Sequence, residues 1–285
     1  MIKPVYHVAS FSGGKDSTAM VLRMIELGQH LDEVVFCDTT MEFPGMIRHV
    51  ERVKAEVEAA GIKFTTLRST KGFEYFLADV DVPNRKPNSN HFGVPGYGWP
   101  SHKIRWCTKH LKLELISKHF KQLREEYEVI QYIGIAADED YRMGRKANQD
   151  PTHRHPLREW GWTEEDAMAY CRARGYDWEG LYDIFSRVSC WCCPLQQYAE
   201  LRKLRQHFPE LWSELLRLDA RQWQTFAHGY SVPDFEKRFT LEDALTAEGH
   251  SIKNRKFFAD LKRLLAEKVT IDQILEERAE EEKNV

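Results

Sequence analysis

Short apolar runs alternate with stretches of helical period through the first half of the chain. VYHVAS (5–10), EVVFCD (33–38) and IKFTTL (62–67) are rich in Val, Ile, Phe and Thr, the composition of buried strands. Between them, STAMVLRMIELG (17–28) and PGMIRHVERVKAEVEAAG (44–61) space their apolar residues as helices do. Gly28 and Gly61 stand where helices stop, and Pro44 where a first turn tolerates proline. A fourth strand is expected in EVIQYIGIA (128–136), after the helix that follows Cys107. Strand and helix in alternation predict an α/β fold with a doubly wound, mainly parallel sheet and right-handed crossovers.

Two polar stretches interrupt the pattern. Residues 81–103 are dense in Pro, Gly and Asn and have no period, which predicts a functional lid or a disordered insert. Residues 137–158 read as a second polar loop. Thr163 and Asp166 then sit in capping-box positions at the head of a helix. After Pro194 nearly everything reads as helical, and the acidic end EERAEEEKNV reads as frayed and solvated. The expected organisation is a nucleotide-binding domain over 1–195 and a helical C-terminal extension over 196–285, with no internal repeat.

The 285 residues suffice for a sizeable core, and 42% hydrophobic with 30% charged residues is ordinary globular composition. A net charge of −3 gives no global attraction to nucleic acid or membrane, though it leaves local basic patches open. No apolar run approaches the ~20 residues of a membrane span. No charged-then-apolar leader precedes the first strand, so the expected compartment is the cytoplasm. Thiols stay reduced there, and clustered cysteines more often bind metal than form disulfides.

The chemistry gathers in two places. SFSGGKDSTAM (10–20) follows the first strand and opens the first helix. Gly13 and Gly14 let backbone amides approach a ligand closely, and the helix start adds unpaired N–H groups and a positive dipole end. Lys15 adds a mobile charge, and Ser12 and Ser17 add hydroxyls. Asp16 follows the lysine where a Walker loop would carry Ser or Thr, so this is a different anion loop. The second place is SCWCCPLQ (189–196), which holds three of the six cysteines. Cys37 and Cys171 read as small buried hydrophobes. Cys107, beside Arg105 and Trp106 at a helix start, stands where a thiolate is stabilised.

SGGKDS resembles the signature of the PP-loop ATP pyrophosphatase superfamily, and further segments resemble its phosphoadenylyl sulfate (PAPS) reductase branch. FCDTTMEFPGM (36–46) is similar to "DTG-x-EFPE", with Thr40 in place of glycine. IRWCTKHLKLELI (104–116) is similar to "R-x-CT-x-x-LK". GIAADEDYR (134–142) is similar to "G-x-R-x-x-E-S-x-x-R", with Ala136 for arginine and Asp140 for serine. HPLREWGWTEEDAMAY (155–170) and LYDIFSRVSCWCCP (181–194) match the branch's last two blocks. The resemblance spans residues 8–195 in the right order.

The resemblance implies that Ser12, Gly13, Gly14, Lys15, Asp16 and Ser17 cradle the phosphates of ATP or an adenylyl sulfate. Asp38, at the end of the second strand, is either a ligand contact or a turn cap. Arg142, with Arg145 and Lys146 nearby, is a candidate oxyanion clamp. Glu139 would orient Arg142 or help hold Mg²⁺. The expected catalytic residues are Lys15, Arg142 and Asp38. Cys107, Cys190, Cys192 and Cys193 are candidate ligands of a [4Fe–4S] cluster or of structural zinc, with a catalytic thiol or a Cys190/Cys193 redox pair as the metal-free alternative.

The branch's reductases attack their substrate with a C-terminal cysteine, whereas the 92 residues after Cys193 carry none. The expected function is therefore adenylation of an acceptor for sulfur transfer. The alternatives are a sulfonucleotide reductase using an external thiol, and a non-catalytic nucleotide-sensing subunit. The expected partners are the adenine nucleotide and either a nucleic-acid acceptor or a sulfur-donor protein, with no membrane, and the reading admits a homodimer; the sequence does not name the acceptor. In the C-terminal region, WSELLRLDARQWQTF (212–226) and KNRKFFADLKRLL (253–265) read mainly as core helices with a basic solvent face.

Overall fold

A computed structural model describes residues 3–83, 86 and 91–283. The chain divides into two compact units: Met1–Asn84 with Gly93–Cys193, and Arg85–Phe92 with Pro194–Val285.

The first unit is built on five parallel strands in the order β3-β2-β1-β4-β5. In chain order its elements are β1 (Val5–Phe11), α1 (Lys15–Glu26), β2 (Glu33–Asp38), α2 (Pro44–Ala59) and β3 (Lys63–Arg68). There follow α3 (Trp106–Thr108), α4 (Glu114–Glu126), β4 (Glu128–Ile133), α5 (Asp140–Met143), β5 (His153–Arg154), α6 (Pro156–Glu159), α7 (Glu164–Ala173) and α8 (Leu181–Ile184). Every residue of β2 is buried, as a central parallel strand covered on both faces requires. On one face Phe120 of α4 packs against Val8, Val35 and Val129. The strand order reverses between β1 and β4, which opens the crevice at their carboxyl ends where such sheets bind ligands.

The backbone approaches itself most closely at this crevice. A Cβ on Gly134, just past β4, would lie 3.0 Å from the Cα and N of Ser17 and 3.1 Å from the carbonyl carbon of Asp16. Glycine there lets the end of β4 lie directly on the first turn of α1.

Several polar stretches are more ordered than their composition suggests. Two short π-helical turns, Tyr75–Asp79 and Lys109–Leu113, flank the first long loop. Gly96, Tyr97 and Gly98 donate their amides to the carbonyls of Val80, Phe76 and Leu77. Trp99 and Trp106 are buried, and Trp106 Nε1 donates to Gly98 O at 2.9 Å. This part of the loop is a packed strap, because three aligned amide bonds and two indoles outweigh the composition. The rest of the expected lid, residues 84–85 and 87–90, lies outside the described residues. The stretch 137–158 contains α5, β5 and the start of α6. Strand β5 has two residues, too short for periodicity to signal.

The second unit is helical, with α9 (Tyr198–His207), α10 (Pro209–Asp219), α11 (Val232–Ala247), α12 (Arg255–Leu265) and α13 (Ile271–Lys283). Leu241, Leu245, Phe257, Leu261, Leu264 and Ile274 form a core. The acidic end is not frayed through 283. Ile274 and Arg278 are buried, and Arg278 pairs with the buried Asp260 at 2.7 Å. Two basic side chains of α12 face acids of α13, Arg263 with Glu277 at 2.7 Å and Lys256 with Glu281. These pairings neutralise much of the charge that would attract nucleic acid. Among the described residues no helix is long and apolar enough to cross a membrane.

Replacing Gly134 with Ala forces backbone apart at the crevice. The expected result is a loss of about 1–3 kcal/mol in denaturant unfolding; unchanged stability would show that the approach has slack.

Candidate functional site

The turn after β1 is shaped by Gly13, whose φ of +81° lies in the left-handed region. A Cβ there would stand 2.7 Å from Met46 Sδ, so space and conformation both call for glycine. Gly14 is the N-cap of α1 and has no side chain to cover the first-turn amides. The hydroxyls of Ser12 and Ser17 lie 3.0 Å apart, and Ser17 Oγ accepts from Ser12 N at 3.1 Å. Lys15 N donates to the Tyr182 hydroxyl at 3.2 Å. Gly14 N donates to Ser12 Oγ at 3.4 Å, so the result is a glycine turn whose first amides rest on the Ser12 and Tyr182 hydroxyls, which an anion can displace, a cradle in physical terms.

Lys15 is held beside acids. Its Nζ lies 3.0 Å from Asp16 Oδ1 and pairs with Glu164 at the start of α7. Burial works against this ammonium, but the bonds to Glu164 and Asp16 outweigh it and hold its pKa above the ordinary value. Asp16 is nonetheless pushed up, by burial first and then by Glu164 and Glu139, despite Lys15. The two shifts agree once the local charge is counted: one ammonium sits among several carboxylates, so it gains, while Asp16 loses to desolvation and to the other acids.

Arg142 donates through Nη1 to both oxygens of Glu139, at 3.0 and 2.8 Å, and Glu139 accepts the Ala136 amide at 3.1 Å. Glu139 thus orients Arg142. Arg145 and Lys146 are exposed, and Arg145 lies over the Tyr141 ring. Asp38 caps the turn, accepting from Thr40 N at 2.7 Å, and also pairs with Arg68. Thr40 has a φ of +67°, which accounts for the glycine that the resembled motif carries at this position.

The cysteines converge. Cys190 Sγ lies 3.7 Å from Thr39 Oγ1 and 3.6 Å from Glu42 Oε1, and Trp191 N donates to Met41 O at 3.1 Å. The segment after β2 is thereby joined to the cysteine turn. Cys192 is buried, and its thiol is raised well above the ordinary value by burial and then by Cys190, Cys193 and Cys107. Cys192 thus feels the other three expected thiols, and Cys190 feels Cys193. Lys112 Nζ stands 3.7 Å from Glu42 Oε1 and also feels Cys190, Cys37 and Cys107. Cys37 and Cys171 are buried, with thiols pushed up to about 11 and about 12, chiefly by burial.

Among the described residues no three or more His, Cys, Asp or Glu side chains are placed so that they could hold a metal ion as they stand. The donor chemistry still fits: four thiols suit an iron–sulfur cluster or zinc. Carboxylates beside a phosphate loop suit Mg²⁺, which completes its shell with water and substrate oxygens.

Sequence reasoning missed Arg68, Glu42, Lys112, Glu164, Tyr182 and Arg158. Arg158 Nη1 donates to the carbonyls of Ala136 and Ala137 at 3.1 and 2.9 Å. Glu42, Lys112, Arg158, Glu164 and Tyr182 carried a signal as members of quoted motif segments, though not for these contacts; Arg68 is brought in by the fold.

A glycine turn at the switch point of a parallel sheet, leading straight into a helix start, gives this unit the form of an α/β domain with an anion-binding loop. Residues 6–196 match the phosphoadenosine phosphosulfate reductase domain, and the chain belongs to that family. It is similar to two uncharacterized proteins of Methanocaldococcus jannaschii. One is 29% identical over 222 residues, covering 74% of this chain and 40% of the relative. The other is 25% identical over 216 residues, covering 73% and 47%. The chain thus spans less than half the length of these curated relatives. A solved structure, the U34-tRNA thiolase NcsA from Methanococcus maripaludis with its [4Fe-4S] cluster, aligns over 76% of this chain and 71% of that one. It does so at 13% identity and a TM-score of 0.36, a likeness too distant to carry a functional argument.

His49 lies behind the loop, its Nε2 2.9 Å from Thr18 Oγ1, with its pKa lowered to about 4 by burial and then by Arg52, against Asp177. A histidine kept neutral in the fold binds its proton only when unfolded. Stability should therefore fall as pH drops from about 6.5 towards 4, by up to about 3 kcal/mol. His49→Gln should flatten that slope in pH-dependent denaturation; an unchanged slope would acquit His49.

Proposed function

We propose that the protein binds ATP with Mg²⁺ on residues 12–17, adenylates an oxygen of an acceptor, and supports replacement of that oxygen by sulfur. The observation that supports this reading is Cys190 set against Thr39 and Glu42 of the segment that follows β2, with Cys107, Cys190 and Cys193 all close enough to raise the Cys192 thiol, in the unit that holds the phosphate loop. An anion cradle and a thiol group on one sheet suit activation by a nucleotide followed by sulfur delivery.

The acceptor oxygen attacks the α-phosphorus, the bond to the β-phosphate breaks, and pyrophosphate leaves with the electron pair. A hydrosulfide supplied by a sulfur-donor protein then attacks the activated carbon, and AMP leaves with the bonding pair of the carbon–oxygen bond. Lys15 exchanges Glu164 for the phosphates, and Arg142, aimed by Glu139, neutralises charge as pyrophosphate departs. Asp38, paired with Arg68, fixes the turn that faces the crevice. A [4Fe–4S] cluster held by Cys107, Cys190, Cys192 and Cys193 would supply a site for the sulfur atom. A nucleic acid remains the favoured acceptor class, and the cytoplasm the favoured setting.

Lys15→Ala should weaken ATP binding by at least about tenfold, the loss of a charge-assisted contact, without unfolding the protein. Unchanged affinity refutes the phosphate-loop role. Pyrophosphate release from ATP is expected with the acceptor present. Sulfite from adenylyl sulfate with ATP inert would mean a reductase instead, and nucleotide binding without turnover would mean a sensor. Anaerobically isolated protein should be brown and Cys192→Ser colourless; colourless protein with stoichiometric zinc overturns the cluster.

A further inference from the structure

One short segment, residues 176–182, grips the phosphate loop at two points. Trp178 is 1% exposed, and its Nε1 donates to Gly13 O at 2.7 Å. The Tyr182 hydroxyl accepts Lys15 N at 3.2 Å, and the two aromatic rings meet edge-on at 4.9 Å. His49 backs the arrangement, its ring 4.6 Å from that of Trp178 while its Nε2 meets Thr18 Oγ1.

The backbone that presents Trp178 is strained. Trp178, Glu179 and Gly180 take φ values of +51°, +54° and +78°, three left-handed residues in succession. Two of them are not glycine, and each such residue costs about 1–2 kcal/mol. Local contacts hold the run in place: Asp177 Oδ1 accepts from Glu179 N at 3.0 Å, and Arg48 clamps the Glu179 carboxylate. Strain kept up by surrounding contacts points to a function for the geometry it maintains.

The bonded carbonyl indicates what that function is. Gly13 O and Gly14 N belong to one peptide plane, and they point in opposite directions. Two consecutive glycines meet little steric resistance to rotation of that plane. Rotation would turn a carbonyl into the anion cradle and remove an amide donor from it, reversing the local dipole. We infer that Trp178 is a positioning residue: its indole N–H, the shorter of two bonds to Gly13 O beside that of Thr18 Oγ1 at 3.4 Å, latches the Gly13–Gly14 peptide so that the Gly14 amide stays on the side of Ser12 Oγ, ready for the phosphates. This rests on the nucleotide reading only for its affinity consequence, because the latch itself is a property of the free protein.

Trp178→Phe keeps the ring and removes the N–H. Amide hydrogen exchange in the free variant should quicken across residues 12–18 by about threefold to tenfold, the loss of one hydrogen bond. Affinity for inorganic pyrophosphate and for ATP should fall by the same factor, with exchange in the sheet unchanged. A merely structural tryptophan would lower protection throughout the unit and leave the loop unsingled. Gly180→Ala is the second variant, since its Cβ meets only Asp183 Oδ2 at 3.8 Å while its φ becomes unfavourable. It should loosen the same segment with the indole intact, and it decides the matter if Trp178→Phe fails to fold. Unchanged loop exchange in the folded variants overturns the latch. Wild-type protein that binds neither pyrophosphate nor ATP overturns the nucleotide reading, while exchange still judges the latch.

Discussion

The first unit depends on one constraint: the backbone between β1 and α1 must turn left-handed at Gly13 and then lie against the end of β4 at Gly134. The two glycines let the sheet, the first helix and the anion cradle occupy the same few ångströms. The sheet order makes this the crevice between diverging connections. The helix-start amides then supply the positive potential that a lysine alone would give less directionally.

The site's charges are already partnered in the free protein. Lys15 is shared by Asp16 and Glu164, Arg142 by Glu139, Arg68 by Asp38, and Lys112 by Glu42. On the nucleotide reading proposed above, a polyanionic ligand exchanges these partners, so discrimination comes from geometry at the cradle more than from raw attraction. The local balance of charge matches a chain of net charge −3, with each cation held ready by a carboxylate. The helical unit follows the same economy, with Arg202 and Arg205 tied to Glu242, Glu236 and Asp243.

The cysteine turn follows another logic. Burial opposes ionisation of Cys190 and Cys192, and Glu42 and the neighbouring thiols oppose it further. Such a group is stabilised by a cation that neutralises its thiolates. Lys112, beside Glu42, is the nearest fixed positive charge that the fold provides there. The segment after β2, with left-handed Thr40 and the Trp191–Met41 amide bond, is the frame for that group.

The sequence by itself determined the strands β1 to β4, the helices between them, the glycine loop and the capping box at Thr163. These are local properties: period, turn chemistry and caps are written in adjacent residues. It also named Cys107 and the 190–193 cysteines as partners, through a family resemblance and not through their separation. The tertiary structure decided the rest. The strap over 96–99 and the two-residue β5 are ordered by distant carbonyls, and α13 is ordered by the buried Arg278–Asp260 pair. Glu164, Tyr182 and Trp178 reach the loop from 149, 167 and 165 residues away. No local pattern encodes such contacts, because they arise only when the sheet sets the crossover segments side by side.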